Sequence, residues 1–256
     1  FIGLRTEIGC DWNQYVINFE VLSSKSWLEI LKNNHTSFND IGYGLINKVV
    51  AYKFNFEILV FIFSIFFSLP LFILCKELKR PYLALSIAYP YFIVVVGMGP
   101  IRQSAAIGFI ILAILSVIKN KQTSFFLWIS IASLLHFSAI IFSCLTICFT
   151  QSLRNKKLLN FLKVFFFLII LFFIFHNFET FYTKIYYYIK IYNDNSFGIG
   201  RAYSAYFIWL INILPSSIYL ANISKFKFNK NLHRTILFFS IYEILLFLLI
   251  FLNNVL

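Results

Sequence analysis

The chain has 256 residues, of which 60% are hydrophobic, 21% aromatic and only 12% charged, and its mean hydropathy is +0.81. Soluble domains carry about 25% charged and 45–50% apolar residues, so this composition excludes a water-soluble globule. Disordered, collagen-like and disulfide-rich secreted chains are excluded too, since they depart in the opposite direction. A net charge of +12, from 22 Lys and Arg against 10 Asp and Glu, reads as topology in a polytopic membrane protein, because basic residues gather in cytoplasmic loops. It implies no nucleic-acid partner.

The chain begins Phe1-Ile2-Gly3 without Met, its single Met being Met98. The opening residues are therefore expected to be the end of a first transmembrane helix that precedes this sequence. Just beyond them, Arg5 and Asp11 stand six residues apart. They can form a structural pair, or divide into an anion binder and a general base. Trp12, Tyr15, Val16 and Phe19 then fall at helical spacing. Ser26-Trp27-Leu28-Glu29 has the spacing of a capping box, with Trp27, Ile30 and Leu31 on one side. Ile41, Leu45, Val49 and Tyr52 form a third stripe. These helices are expected to lie at the outer interface with their aromatic faces among headgroups.

A bilayer core of about 30 Å needs about 20 helical residues. Apolar stretches at Phe56–Cys75, Pro81–Gly97, Gln103–Ile118, Leu162–His176, Tyr206–Ile223 and Thr235–Leu252 are candidate spans. Between two of them, Gly97-Met98-Gly99-Pro100-Ile101-Arg102-Gln103-Ser104 breaks one helix and opens the next with Arg102 at its mouth. Unpaired N–H groups, a positive dipole end and a guanidinium fork together suit a phosphate or carboxylate. The competing reading is an Arg snorkelling to headgroups.

Thr123–Phe149 is too long for one straight crossing and carries His136 in its middle. Read as a broken hairpin that returns to its own side, it leaves 13 Lys and Arg in 32 inside residues (76–80, 119–122, 152–163 and 224–234). Nine remain in the 89 outside residues of 1–55, 99–103 and 177–205. A single crossing inverts that bias, so the positive-inside rule selects the hairpin. A broken helix at membrane depth must be buried in protein or line a cavity, and His136 there suits acid–base work. The structural alternative is a hydrogen bond to Ser133 or Ser138.

Segment 177–205 holds Tyr182, Tyr186, Tyr187, Tyr188, Tyr192 and Tyr203 with Lys184, Lys190, Asp194 and Arg201. These suit sugar rings or a membrane-interface belt. Glu243 lies inside the last apolar stretch and needs a partner, while His233 and Arg234 read as part of a basic inside loop. Cys10, Cys75, Cys144 and Cys148 have no metal-site spacing. With no phosphate-binding loop or dinucleotide fingerprint either, no metal or cofactor is expected. The expected architecture is all-α: one polytopic membrane domain over residues 1–256. It would have about eight membrane helices or half-helices, the broken hairpin around His136 included, plus outer interfacial helices.

Three pieces in order, Gly3-Leu4-Arg5 … Gly9-Cys10-Asp11 … Tyr15, then Gly99-Pro100-Ile101-Arg102-Gln103-Ser104-Ala105-Ala106, then Leu135-His136-Phe137-Ser138-Ala139, resemble the EpsG branch of Wzy-type bacterial polysaccharide polymerases. The resemblance implies a multi-pass protein of the bacterial cytoplasmic (inner) membrane. Such a protein transfers glycan from undecaprenyl pyrophosphate onto the next lipid-linked repeat unit at the outer face. It also implies a chain-length regulator protein as partner beside the lipid-linked oligosaccharide and the bilayer. Arg102, Gln103, Arg5 and Arg201 would hold the pyrophosphate, and His136 or Asp11 would take the acceptor proton. A transporter or flippase of lipid-linked oligosaccharide is the main alternative, although no internal repeat of the kind transporters carry is visible. Acyl transfer is a third reading, for which His136 lacks an adjacent acidic partner in the sequence.

Overall fold

The computed structural model describes residues 1–9, 11–32, 40–148, 213–226 and 228–255. Arg201, the tyrosine-rich segment 177–205, the expected span Leu162–His176 and the basic loop 152–163 lie outside them. The chain divides into two compact units, Phe1–Ser143 and Cys144–Leu256. Among the described residues all regular structure is helical.

The first unit opens with a 3-10 turn at Ile2–Leu4, followed by α1 (Trp12–Ser24), α2 (Trp27–Lys32), α3 (Ile41–Ala51) and α4 (Phe56–Glu77). Next comes α5 (Pro81–Ala88), which widens into a π-helical stretch at Tyr89–Gly97. Pro90 has no N–H for the Ser86 carbonyl, which loosens the helix where the π geometry begins. Then follow α6 (Ile101–Ile118), α7 (Gln122–Leu135) and a 3-10 segment Phe137–Cys148. Among the described residues, two helices, α4 and α6, are long and apolar enough to cross a bilayer, with mean hydropathies of 2.8 and 2.1. Shorter apolar helices flank them at Ile41–Ala51, Pro81–Gly97, Gln122–Leu135 and Phe137–Thr146.

α4 and α6 pack backbone to backbone. Pro70 inside α4 cannot bond the Phe66 carbonyl, and Gly108 of α6 sits directly against that oxygen. A Cβ on Gly108 would run into it. One turn before Gly108, Ser104 and Ala105 are small as well, the usual device of helix pairs in membranes. α6 closes with a Schellman-type turn: Asn120 takes φ +57, and the Lys121 and Asn120 N–H groups reach the Ser116 and Val117 carbonyls. Beside it Lys119 pairs with Glu77 at 2.6 Å. The basic turns after α4 and after α6 thus share one end, about 27 Å along α6 from Arg102.

The N-terminal helices form where expected, but the stripe of α1 meets protein and α3 turns another face inward. Trp12, Tyr15 and Phe19 of α1 are buried in protein rather than set among headgroups. Trp12 and Phe19 pack on Phe56 with centroids 5.0 and 5.7 Å away, and Tyr15 packs on Tyr43 at 6.1 Å. In α3 the buried residues are Tyr43, Gly44, Asn47 and Val50, whereas Val49 and Tyr52 of the expected stripe are exposed. An apolar stripe has the same composition whether it meets lipid or protein, so periodicity finds the stripe of α1 without saying what covers it, and in α3 it misses the buried face. The capping box of α2 is present in both directions: the Ser26 N–H donates to Glu29 Oε2 at 2.7 Å, and the Glu29 N–H to Ser26 Oγ at 3.3 Å.

In the second unit a helical segment at 213–221 turns through Ile223–Lys225 into α8 (Lys230–Val255). Ser216 Oγ donates to the Glu243 carboxylate, the partner that the sequence left unnamed. His233, in the first turn of α8, is hydrogen-bonded at Nδ1 to the Tyr219 hydroxyl at 2.9 Å.

Candidate functional site

Three segments of the first unit converge at the N-terminal mouth of α6. Arg102 is the second residue of that helix and is only 9% exposed. Its Nη1 donates to Oδ2 of Asp40 at 2.6 Å. The guanidinium carbon lies 5.5 Å from the Tyr43 ring centroid and 6.0 Å from that of Tyr15, so two π faces share its charge. Burial pushes the Tyr15 phenol up, with Arg102 opposing, and burial pushes the Tyr43 phenol up further. Both rings therefore stay neutral against the guanidinium.

Asp40 is the junction. It precedes α3 at the N-cap position but makes no side-chain cap bond there. Its carboxylate, 7% exposed, turns to two other segments instead. Oδ2 is shared between Arg102 and His136 Nδ1, the latter at 3.3 Å, and Oδ1 accepts the Phe137 N–H at 2.8 Å. The Phe137 bond satisfies the first free N–H of the 3-10 segment. It also holds His136 extended (φ −152, ψ 110), ending α7 there without Pro or Gly. Gly42 brings α3 against α7, since a Cβ at this position would meet the Leu134 carbonyl at 2.8 Å. Asp40 had no role in the sequence reading. Its only local signal was an acid immediately ahead of an apolar helical stripe.

His136 thus has a carboxylate partner, not Ser133, whose hydroxyl bonds the Ile129 carbonyl of its own helix. The acidic neighbour missing from the sequence around His136 arrives from 96 residues away. A carboxylate on Nδ1 favours the proton there and leaves Nε2 as the basic nitrogen. At this point the arrangement is a cation, a carboxylate and an imidazole in one line, beside two buried phenols.

A family model for the EpsG family matches residues 1–256. The chain belongs to the EpsG family. No curated protein and no solved structure shows significant similarity to it. Its family and the bilayer-length helices α4 and α6 make it a membrane protein of polysaccharide biosynthesis.

The other expected site residues of this EpsG-family chain are placed differently. Arg5, 5% exposed, gives Nη1 to the Gly97 carbonyl at 2.9 Å and Nη2 to the Gly99 carbonyl at 3.3 Å. Burial lowers its pKa, offset in part by Tyr15. It clamps the loop that launches α6, and those two nitrogens face carbonyls rather than an anion. Asp11 is exposed at the start of α1, and among the described residues no Arg5–Asp11 ion pair forms. Gln103 is exposed beside Arg102 in the first turn of α6.

Proposed function

We propose that this protein is a polysaccharide polymerase. It transfers glycan from undecaprenyl pyrophosphate onto a hydroxyl of the next lipid-linked repeat unit, at the outer face of the bacterial cytoplasmic membrane. In that frame the chain contributes about eight membrane helices or half-helices. Family membership supports the reaction class, and the observation that carries the site is the Arg102–Asp40–His136 line. The acceptor oxygen attacks the anomeric carbon of the donor glycan as the bond from that carbon to the pyrophosphate oxygen breaks. His136 Nε2 takes the hydroxyl proton, and undecaprenyl pyrophosphate leaves with the electron pair. Asp40 fixes the imidazole and stabilises its cation. Arg102, at a helix mouth, faces the developing charge on the leaving group, with Gln103 at the rim and Arg201 as a further cation. Asp11 serves at most as a rim carboxylate. A chain-length regulator would act on the product from outside this site.

His136→Gln is the sharper test, because Arg102→Ala would strand a buried carboxylate and destabilise the fold by itself. Purified protein supplied with lipid-linked repeat units should lengthen glycans, and His136→Gln should slow this by about 10²–10⁴-fold with unchanged thermal stability. Wild-type protein that moves lipid-linked units across vesicles yet never lengthens them in detergent would instead be a transporter. The His136–Asp40 pair also favours acyl transfer as a second reading. Acylated sugars formed from an acyl donor, with no ladder of longer glycans, would establish that outcome.

A further inference from the structure

Arg102 and His136 meet the same oxygen of Asp40, at unequal distances. Oδ2 lies 2.6 Å from the guanidinium and 3.3 Å from the imidazole nitrogen. The first is a short charge-assisted bond; the second is at the long edge of hydrogen bonding. Asp40 cannot serve both groups fully while Arg102 holds it. We propose that an anionic donor governs this division: a pyrophosphate drawn to Arg102 displaces its share of Asp40, and the carboxylate closes onto His136. The base would then be engaged only when a donor is present. This inference rests on the polymerase reading and adds an order of events to it.

The groups that face His136 and Arg102 make the exchange feasible. From α3 come Asp40 and Tyr43, from α1 Tyr15, and the phenols are neutral, so Asp40 is the anion that competes for the guanidinium inside the cluster. A pyrophosphate brings more negative charge than one carboxylate and two oxygens for the planar fork. Asp40 does not need to swing away. Oδ1 stays anchored on the Phe137 N–H, and a small rotation about that anchor closes the gap to Nδ1. The His136 side chain is part-exposed, which leaves the ring within reach of an acceptor hydroxyl. Without donor the imidazole is loosely held, which guards the site against idle chemistry on water or acceptor.

Asp40→Asn separates this role from a structural one, because a shared carboxylate predicts opposite effects on binding and turnover. In the full chain in nanodiscs, calorimetry should show undecaprenyl pyrophosphate binding about tenfold more tightly to Asp40→Asn, a gain of ~1.4 kcal/mol, since the competing anion is gone. Elongation kcat should fall about 100-fold in the same variant. A merely structural Asp40 would weaken binding as well, and equal or weaker binding in the variant overturns the exchange. If Asp40→Asn does not fold, ring ¹⁵N spectra of the wild-type protein decide. Adding undecaprenyl pyrophosphate should move the His136 Nδ1 signal toward a stronger hydrogen bond, and an unmoved signal with the lipid bound overturns the inference alone. A wild-type protein that neither binds the lipid nor elongates glycans overturns the polymerase reading with it.

Discussion

Arg5 and Arg102 look alike in the sequence, two cations on the side where cations are sparse, yet the fold assigns them different tasks. Arg102 faces a carboxylate and two rings, whereas Arg5 faces the backbone of Gly97 and Gly99. Lys cannot reproduce a two-nitrogen grip on two carbonyls, so Arg5→Lys should loosen the approach to α6. We expect a loss of about 1–3 kcal/mol in thermal unfolding, with the affinity for undecaprenyl pyrophosphate unchanged. Unchanged stability with weakened lipid binding would return Arg5 to the ligand. Of the three groups in the line, Arg102 and His136 were legible from their positions at helix breaks. Asp40 was not, because its partners lie 62 and 96 residues downstream and its own surroundings resemble any helix start.

The elements were easier to read than their faces. α4, α6 and the break at His136 follow from apolar length and from a polar residue in an apolar run. What covers the stripe of α1 did not follow, and neither did the inward face of α3, where Tyr43 and Asn47 are buried on the less apolar side. Contact between α4 and α6 depends on a pairing that no window along the chain displays: Pro70 releases a carbonyl and Gly108 occupies the space above it. Gly108→Leu should push the two helices apart and cost about 1–3 kcal/mol, read as a lowered thermal midpoint of the purified protein. Leu69→Ile, at an exposed position of α4, should leave the midpoint where it is.

Within the first unit, charge and geometry agree on two ends. Lys119 and Glu77 bind together the basic turns at one end, while the N-terminal helices and the mouth of α6 gather at the other. If the basic end is cytoplasmic, a cysteine at exposed Gln103 in a cysteine-free background should react with a membrane-impermeant maleimide in intact cells. One at exposed Lys121 should react only after lysis, and the reverse pattern would invert the topology. The order in which the cluster's parts are made has its own consequence. Asp40 and Arg102 leave the ribosome before α7, the helix whose end brings both His136 and the Phe137 N–H. A nascent chain halted in the turn after α6 could already neutralise its buried carboxylate, yet it would lack two of that carboxylate's three donors. Insertion of α7 is therefore the step of biogenesis at which the Arg102–Asp40–His136 cluster is completed.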